Sequence, residues 1–134
     1  MNTDTLRAII VEGDAEATVE YADGLGEALA TKYRLSTNQI RNIFGTVRRI
    51  EMTWPEKPKD SAEQEQSRQA KRDLLLLKPK MAYRAKREHG RGVKVLTDIL
   101  TEAIDLVEGD RRRFQHFVDF FEATLAYHKA HGGN

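Results

Sequence analysis

The stretch RQAKRDLLLLKPKMAYRAKREHGRGVK, Arg68 to Lys94, joins four consecutive leucines, Leu74 to Leu77, to most of the chain's surplus positive charge. Ten Lys and Arg fall in it against two acids, Asp73 and Glu88, a local balance of +8 in a chain of net charge +1. Four adjacent leucines cover every side of a helix and predict a central helix packed on several neighbours. Pro79 interrupts the pattern. Because proline suits a first helical turn, a kink or restart is expected at Lys78-Pro79, continuing through Met81, Ala82 and Ala85 until Gly90 and Gly92 end the segment.

Outside this stretch the chain runs acidic. Residues 1–40 carry three basic and seven acidic side chains, and residues 95–134 carry four and seven. Such separation points to a basic face that meets an anion, nucleic acid first among candidates, and to acidic ends that meet basic neighbours. At 134 residues, with 40% hydrophobic and 32% charged side chains, the chain reads as a single domain over residues 1–134. There is no cysteine, which excludes a disulfide framework and a thiolate metal site and fits a reducing, cytoplasmic location. No apolar run approaches the ~20 residues of a membrane span. Three prolines and no useful alternating pattern predict an all-α fold, a compact bundle of five to six helices.

Taken in order, residues 3–12 read as a short helix ending near Gly13. Asp14 then caps a second helix whose Val19, Ala22, Leu25, Leu29 and Tyr33 keep helical spacing. Gly24 and Gly26 weaken that helix unless they mark a tight helix crossing. Ser36 with Gln39 three residues later has the spacing of a capping box, followed by the stripe Ile40, Ile43, Phe44, Val47, Ile50. The segment Trp54-Pro55-Glu56-Lys57-Pro58 breaks that helix and predicts a flexible loop near 54–62, with Asp60 or Ser61 starting the next. Val93, Leu96, Ile99, Leu100, Ala103, Ile104 and Val107 make a strongly amphipathic helix that Gly109 stops. Asp110 can cap the last helix, whose aromatic face (Phe114, Phe117, Phe121 with Val118, Leu125 and His128, widened by Phe120, Thr124 and Tyr127) is the core's main wall. The closing HGGN is expected to be a disordered tip.

Two basic clusters are the candidate site. Beside the stripe of the third helix, Arg41, Gly45, Arg48 and Met52 stand at i, i+4, i+7 and i+11, with Arg49 adjacent. A glycine there costs helix stability of about 1 kcal/mol relative to alanine. It would let a sugar–phosphate backbone approach closely, or ease helix packing. On the next helix Lys80, Arg84 and Arg87, at i, i+4 and i+7, run along one side, with Lys78 nearby. Such rows track phosphates and bind through counterion release without reading sequence. A solvated charged face whose arginine stems cover apolar surface is the plainer alternative. Two clusters on helices flanking the core favour nucleic acid.

Other chemistry has weaker support. An Arg followed after four residues by a His occurs twice, as Arg84…His89 and Arg111…His116, the pairing used by all-α HEPN ribonucleases, where histidine moves a proton and arginine stabilises a phosphorane. With thirteen arginines and four histidines, chance matches are expected, and Arg111 precedes two further arginines. By helical spacing His116 points away from the Phe114–Phe117 face. His128 and His131 are three apart without a carboxylate motif, so a packed histidine is favoured over a metal ligand. No catalytic residue, metal or cofactor is assigned.

Three segments together resemble one family, the small subunit of the type III-A CRISPR Csm effector complex: STNQIRNIFGTVRRI (36–50), LLLLKPKMAYRAKR (74–87) and FQHFVDFFEATLAYHKAHGG (114–133). The leucine run leading into Lys-Pro-Lys-Met-Ala-Tyr is the most specific. The resemblance implies a helical bundle without an active site, stacked in several copies as a filament beside the duplex of guide RNA and target RNA, with single-stranded DNA a further candidate partner. It also implies bridging to the large subunit and the backbone subunit, in an antiviral defence complex. The positions that would meet nucleic acid are Arg41, Arg48, Arg49, Lys78, Lys80, Arg84 and Arg87. Where a glycine-like position often precedes the last arginine, this chain has Lys86, which adds charge.

Overall fold

Helix starts are written into the chain as caps. In the computed structural model, which describes residues 3–88 and 90–134, the Asp14 carboxylate accepts the Ala17 N–H at 3.1 Å, Asp60 that of Glu63 at 2.8 Å and Asp110 that of Arg113 at 3.0 Å. Ser36 and Gln39 form the expected reciprocal box, the Ser36 hydroxyl accepting the Gln39 N–H while the Gln39 side chain accepts the Ser36 N–H. Caps of this kind contribute about 1 kcal/mol each. They open α2 (Ala15–Glu27), α4 (Ser61–Arg87), α6 (Arg111–Ala130) and α3 (Thr37–Thr53). The remaining helices are α1 (Thr3–Ile10) and α5 (Arg91–Val107), and a π-helical turn, Ala28–Lys32, prolongs α2. The described residues contain no strand, so the fold is all-α with six helices.

The aromatic wall falls where its spacing put it. Phe114, Phe117, Phe120 and Phe121 are fully buried on α6, and Trp54 stacks on Phe114 with ring centroids 4.8 Å apart. Helix α6 is the central element, packed against α1, α2, α3 and α5. That corrects the expected role of the leucine block: α4 packs chiefly on α3 and α5, with Leu74 and Leu77 buried but Leu75 58% and Leu76 40% exposed. Successive residues turn by about 100°, so two helices on one side of α4 cannot cover four leucines in a row. No restart occurs at Pro79 either. Helix α4 runs unbroken for 27 residues, with Leu77 and Met81 buried on either side of the proline. Nor does Gly92 end anything: it lies in the first turn of α5, where a Cβ would meet the Leu35 Cβ at 3.0 Å. The turn itself belongs to Gly90, at φ +94°.

Helices α2 and α6 cross closely at Gly26, as one reading of the glycine pair required, whereas Gly24 faces open space. Val19 departs from the expected buried stripe and is half exposed. The C-terminal residues, expected as a disordered tip, lie against the body: Gly133 is buried, its N–H donates to the His128 carbonyl at 2.9 Å, and the Asn134 carbonyl accepts the Thr37 N–H.

Candidate nucleic-acid interface

Helices α3 and α4 lie side by side, and a groove of about 280 Å3 runs between them, lined by Asn42 and Thr46 from α3 and by Lys80, Tyr83, Arg84 and Arg87 from α4. Its floor is apolar, made by Ile43, Leu77 and Met81, so the cationic heads stand at the rim of a surface that their stems help cover. Three of the seven expected contact residues therefore share one groove. Lys80 is exposed with no polar partner among the described residues, and the Arg87 guanidinium lies 5.4 Å from the centroid of the Tyr83 ring. Arg84 is held differently. Its Nε faces Glu88 Oε2 at 3.7 Å, an ion-pair distance too long for a hydrogen bond, while Glu88 Oε1 accepts from Gln39 Nε2 at 3.3 Å. The capping box that starts α3 thus also fixes the carboxylate beside Arg84, and so ties the start of α3 to the end of α4.

On α3, two rows flank each other. Asn42 and Thr46, at i and i+4, take the flank towards α4, and the Thr46 hydroxyl accepts from Arg49 Nη2 at 3.1 Å. Arg41, Gly45, Arg48 and Met52 form the outward row; Met52 is 79% exposed and Arg41 has no described partner. A Cβ on Gly45 would find only the Arg49 guanidinium, at 4.0 Å, so no neighbouring helix needs the glycine. Of its two readings, close approach of a ligand survives and helix packing does not. Arg48 is paired with Glu51 at 2.6 Å while half exposed, a contact of small energetic weight.

Lys78 does not join the others. It lies on the opposite flank of α4, in a groove of about 730 Å3 shared with α5, Lys86 and Lys94, and its Nζ is 2.5 Å from the Asp105 carboxylate. The row Lys80, Arg84, Arg87 was legible from spacing; the separation of Lys78 by two residues, or about 200° of rotation, was also implied by that spacing. Sequence reasoning missed Asn42, Thr46 and Tyr83. The signals were available: the first two repeat at i and i+4 with Arg49, and Tyr83 (66% exposed) is an aromatic flanked by cations.

The rival chemistries find no assembled site. His116 donates its Nδ1–H to the Ile10 carbonyl at 2.8 Å and its ring covers Gly13. It is half-buried packing, not the free side chain expected from its helical position, because α1 and the turn after it occupy that flank of α6. Arg111 donates from Nε to the Trp54 carbonyl at 3.0 Å and from Nη1 to Gln115 at 3.1 Å, so the pair does not converge. His89, the other histidine of that pattern, lies outside the described residues. His128 is fully buried with Nε2 2.6 Å from the Leu35 carbonyl, the packed histidine the sequence favoured, and His131 instead meets Asp23 at 2.6 Å. Among the described residues no three His, Cys, Asp or Glu gather as a metal site, and no helix is long and apolar enough to cross a membrane. Tyr21 has its hydroxyl pKa raised above 10.0 by burial and, secondarily, by the Glu102 carboxylate; it belongs to the α2–α6 contact, not to the basic face.

As a class, this is a small all-helical bundle with a cation-lined two-helix face and no converged acid–base pair among its described residues. The chain belongs to the Csm2 family of type III-A systems: the family model described as Csm2 Type III-A matches residues 12–134, nearly its whole length. It is therefore a small subunit of the type III-A CRISPR Csm complex, and the other subunits of that complex are its partners. No curated protein and no solved structure matches it.

Proposed function

We propose that this subunit is a non-catalytic scaffold that holds RNA by its phosphate backbone, without sequence preference, and lines up in several copies along the duplex of guide RNA and target RNA. The observation that carries this reading is the convergence of Lys80, Arg84 and Arg87 with Asn42 and Thr46 of α3 on one groove, with Arg49 held to Thr46 next to it, beside an outward row opened by Gly45. Cations at i, i+4 and i+7 rise about 6 Å and then about 4.5 Å along α4. That approximates the spacing of successive phosphates on an extended strand, and Tyr83 between them offers a face for a base. Arg41 and Arg48 extend the same face outward. Lys78, on the opposite flank of α4 and already neutralised by Asp105, contributes less than Lys80.

Stacking multiplies a weak individual contact. A bundle of this size touches only a few nucleotides, and each added copy that meets its neighbour raises the effective concentration of the next without new RNA contacts. The exposed Asp4, Glu12, Glu16 and Glu20 can face a basic patch on the next copy or on another subunit. The engagement of His116 by Ile10 favours the scaffold over the ribonuclease reading, because that imidazole is committed to packing. Residence in the cytoplasm follows from working within a CRISPR complex on RNA.

The test is binding of two unrelated single-stranded RNAs by the wild type and by the Lys80→Ala, Arg84→Ala double variant. Similar weakening for both sequences supports backbone tracking. Loss confined to one sequence, or none, defeats it.

A further inference from the structure

Roughly 20 Å further down α4 from the groove, the start of α4, the Trp54–Pro58 loop and the first turn of α6 enclose a second basic pocket of about 300 Å3. The arginine run that opens α6 has no part in the function proposed above, and its first member is held here with unusual rigidity. The Arg111 guanidinium is fixed by Nε on the Trp54 carbonyl and Nη1 on Gln115, and lies 5.9 and 5.6 Å from the centroids of the Trp54 and Phe114 rings. Its Nη2 has no partner among the described residues, so a pre-oriented pair of N–H donors is left over. Lys71 lines the same pocket, exposed and without any ion pair or hydrogen bond among the described residues. Ser67 backs the α4 wall of the pocket, its hydroxyl oxygen closed off from the pocket's open space.

We propose that this pocket binds a phosphoryl group, with Lys71 and Arg111 Nη2 as its cationic donors. The donor set specifies the ligand class: a lysine ammonium and a fixed guanidinium edge suit a tetrahedral oxyanion, and Glu56 is the one carboxylate among the lining residues. Arg68 is drawn to Glu65 at 2.9 Å and stays outside the set. The volume exceeds what a bare phosphate needs and lies at the lower bound of small-molecule sites, which fits a sugar phosphate, either free or borne on a nucleic-acid strand. The site is independent of the α3/α4 groove, so a phosphate held here would anchor a second strand or a nucleotide while the groove holds RNA.

The chain supplies its own reporter, since Trp54, its one tryptophan, walls the pocket. Intrinsic fluorescence of the full chain is titrated with inorganic phosphate, with ribose 5-phosphate and with a short RNA, each against sodium chloride at matched ionic strength. The expected result is a saturable change with ribose 5-phosphate that chloride does not reproduce. In Lys71→Glu the apparent affinity falls about tenfold or more; in Lys71→Arg it is kept; and in the Lys80→Ala, Arg84→Ala variant it is unchanged. A change produced by RNA alone assigns the phosphate to a strand, provided that Lys71→Glu removes it and the groove variant retains it. The proposal is overturned if no probe gives a saturable change, if chloride gives the same change, or if Lys71→Glu binds as wild type. Lys71 is exposed, so circular dichroism should show that its replacement leaves the helices intact. Because the groove variant is read in the same titration, loss of RNA binding through the groove and loss of the pocket are told apart.

Discussion

At Gly26 a single methyl group should decide whether α2 and α6 can stay in register. A Cβ there would stand 2.7 Å from the His128 backbone nitrogen, 2.7 Å from the Tyr127 Cβ and 2.9 Å from the Tyr127 carbonyl carbon. Ordinary contact needs roughly 3.5–4 Å, so Gly26→Ala must move the helices apart by nearly 1 Å. Two of the three obstructing atoms are backbone, and no rotamer change relieves them. Overpacking of this kind costs about 1–3 kcal/mol, while alanine returns up to about 1 kcal/mol of helix propensity. The net expectation is destabilisation by about 1–2 kcal/mol. Gly24, two residues earlier on the same helix, is the control, because nothing stands within 4 Å of an added Cβ. Gly24→Ala should therefore keep the propensity gain and stabilise by about 0.5–1 kcal/mol. Urea denaturation followed by far-UV circular dichroism reads both, and thermal melts should separate the two variants by roughly 5–10 °C. The reasoning is refuted if Gly26→Ala matches or exceeds wild type, or if both variants shift alike.

Three further expectations follow from the site. His116→Ala should lower stability by about 1–2 kcal/mol, through the lost bond to Ile10 and the uncovered Gly13, while RNA incubated with the protein stays intact; RNA that is degraded by wild type and spared by the variant would revive the ribonuclease reading. Lys78→Ala should weaken RNA binding less than Lys80→Ala, since Lys78 is paired with Asp105 and Lys80 is not, and filter binding at low salt measures the ranking. Isolated protein should be a monomer or weak dimer that lines up cooperatively on RNA, with copy number rising with RNA length and cooperativity fading with salt; analytical ultracentrifugation that finds one copy per RNA at every length would remove the stacking.

What the sequence disclosed follows from how local each signal is. Caps at Asp14, Ser36 and Asp110 and the stripes of α3, α5 and α6 depend on residues within a turn or two of each other, and they appear as read. The leucine block misled because burial depends on how many neighbours reach a helix, which periodicity does not report; α4 has neighbours on one side, so Leu75 and Leu76 face outward. Pro79 forced no restart because its lost hydrogen bond is local while the burial of Leu77 and Met81 that seats the helix is tertiary. In the candidate site, the row on α4 was visible as a spacing. Its pairing with the Asn42–Thr46 flank was not, because nothing in either helix alone says which face of α3 meets α4. His116 was misassigned for a similar reason: the flank that looked free on α6 is covered by the turn after α1.

The central claim is that cations of the α3/α4 face hold phosphates, and the salt dependence of RNA binding addresses it most directly. On single strands each phosphate contact contributes roughly 0.7 to the slope of log affinity against log salt. A variant with Arg49, Lys80 and Arg84 all replaced by alanine should lower that slope by about 2 for two unrelated RNAs, with the helical circular dichroism unchanged. A slope equal to that of the wild type would contradict the account.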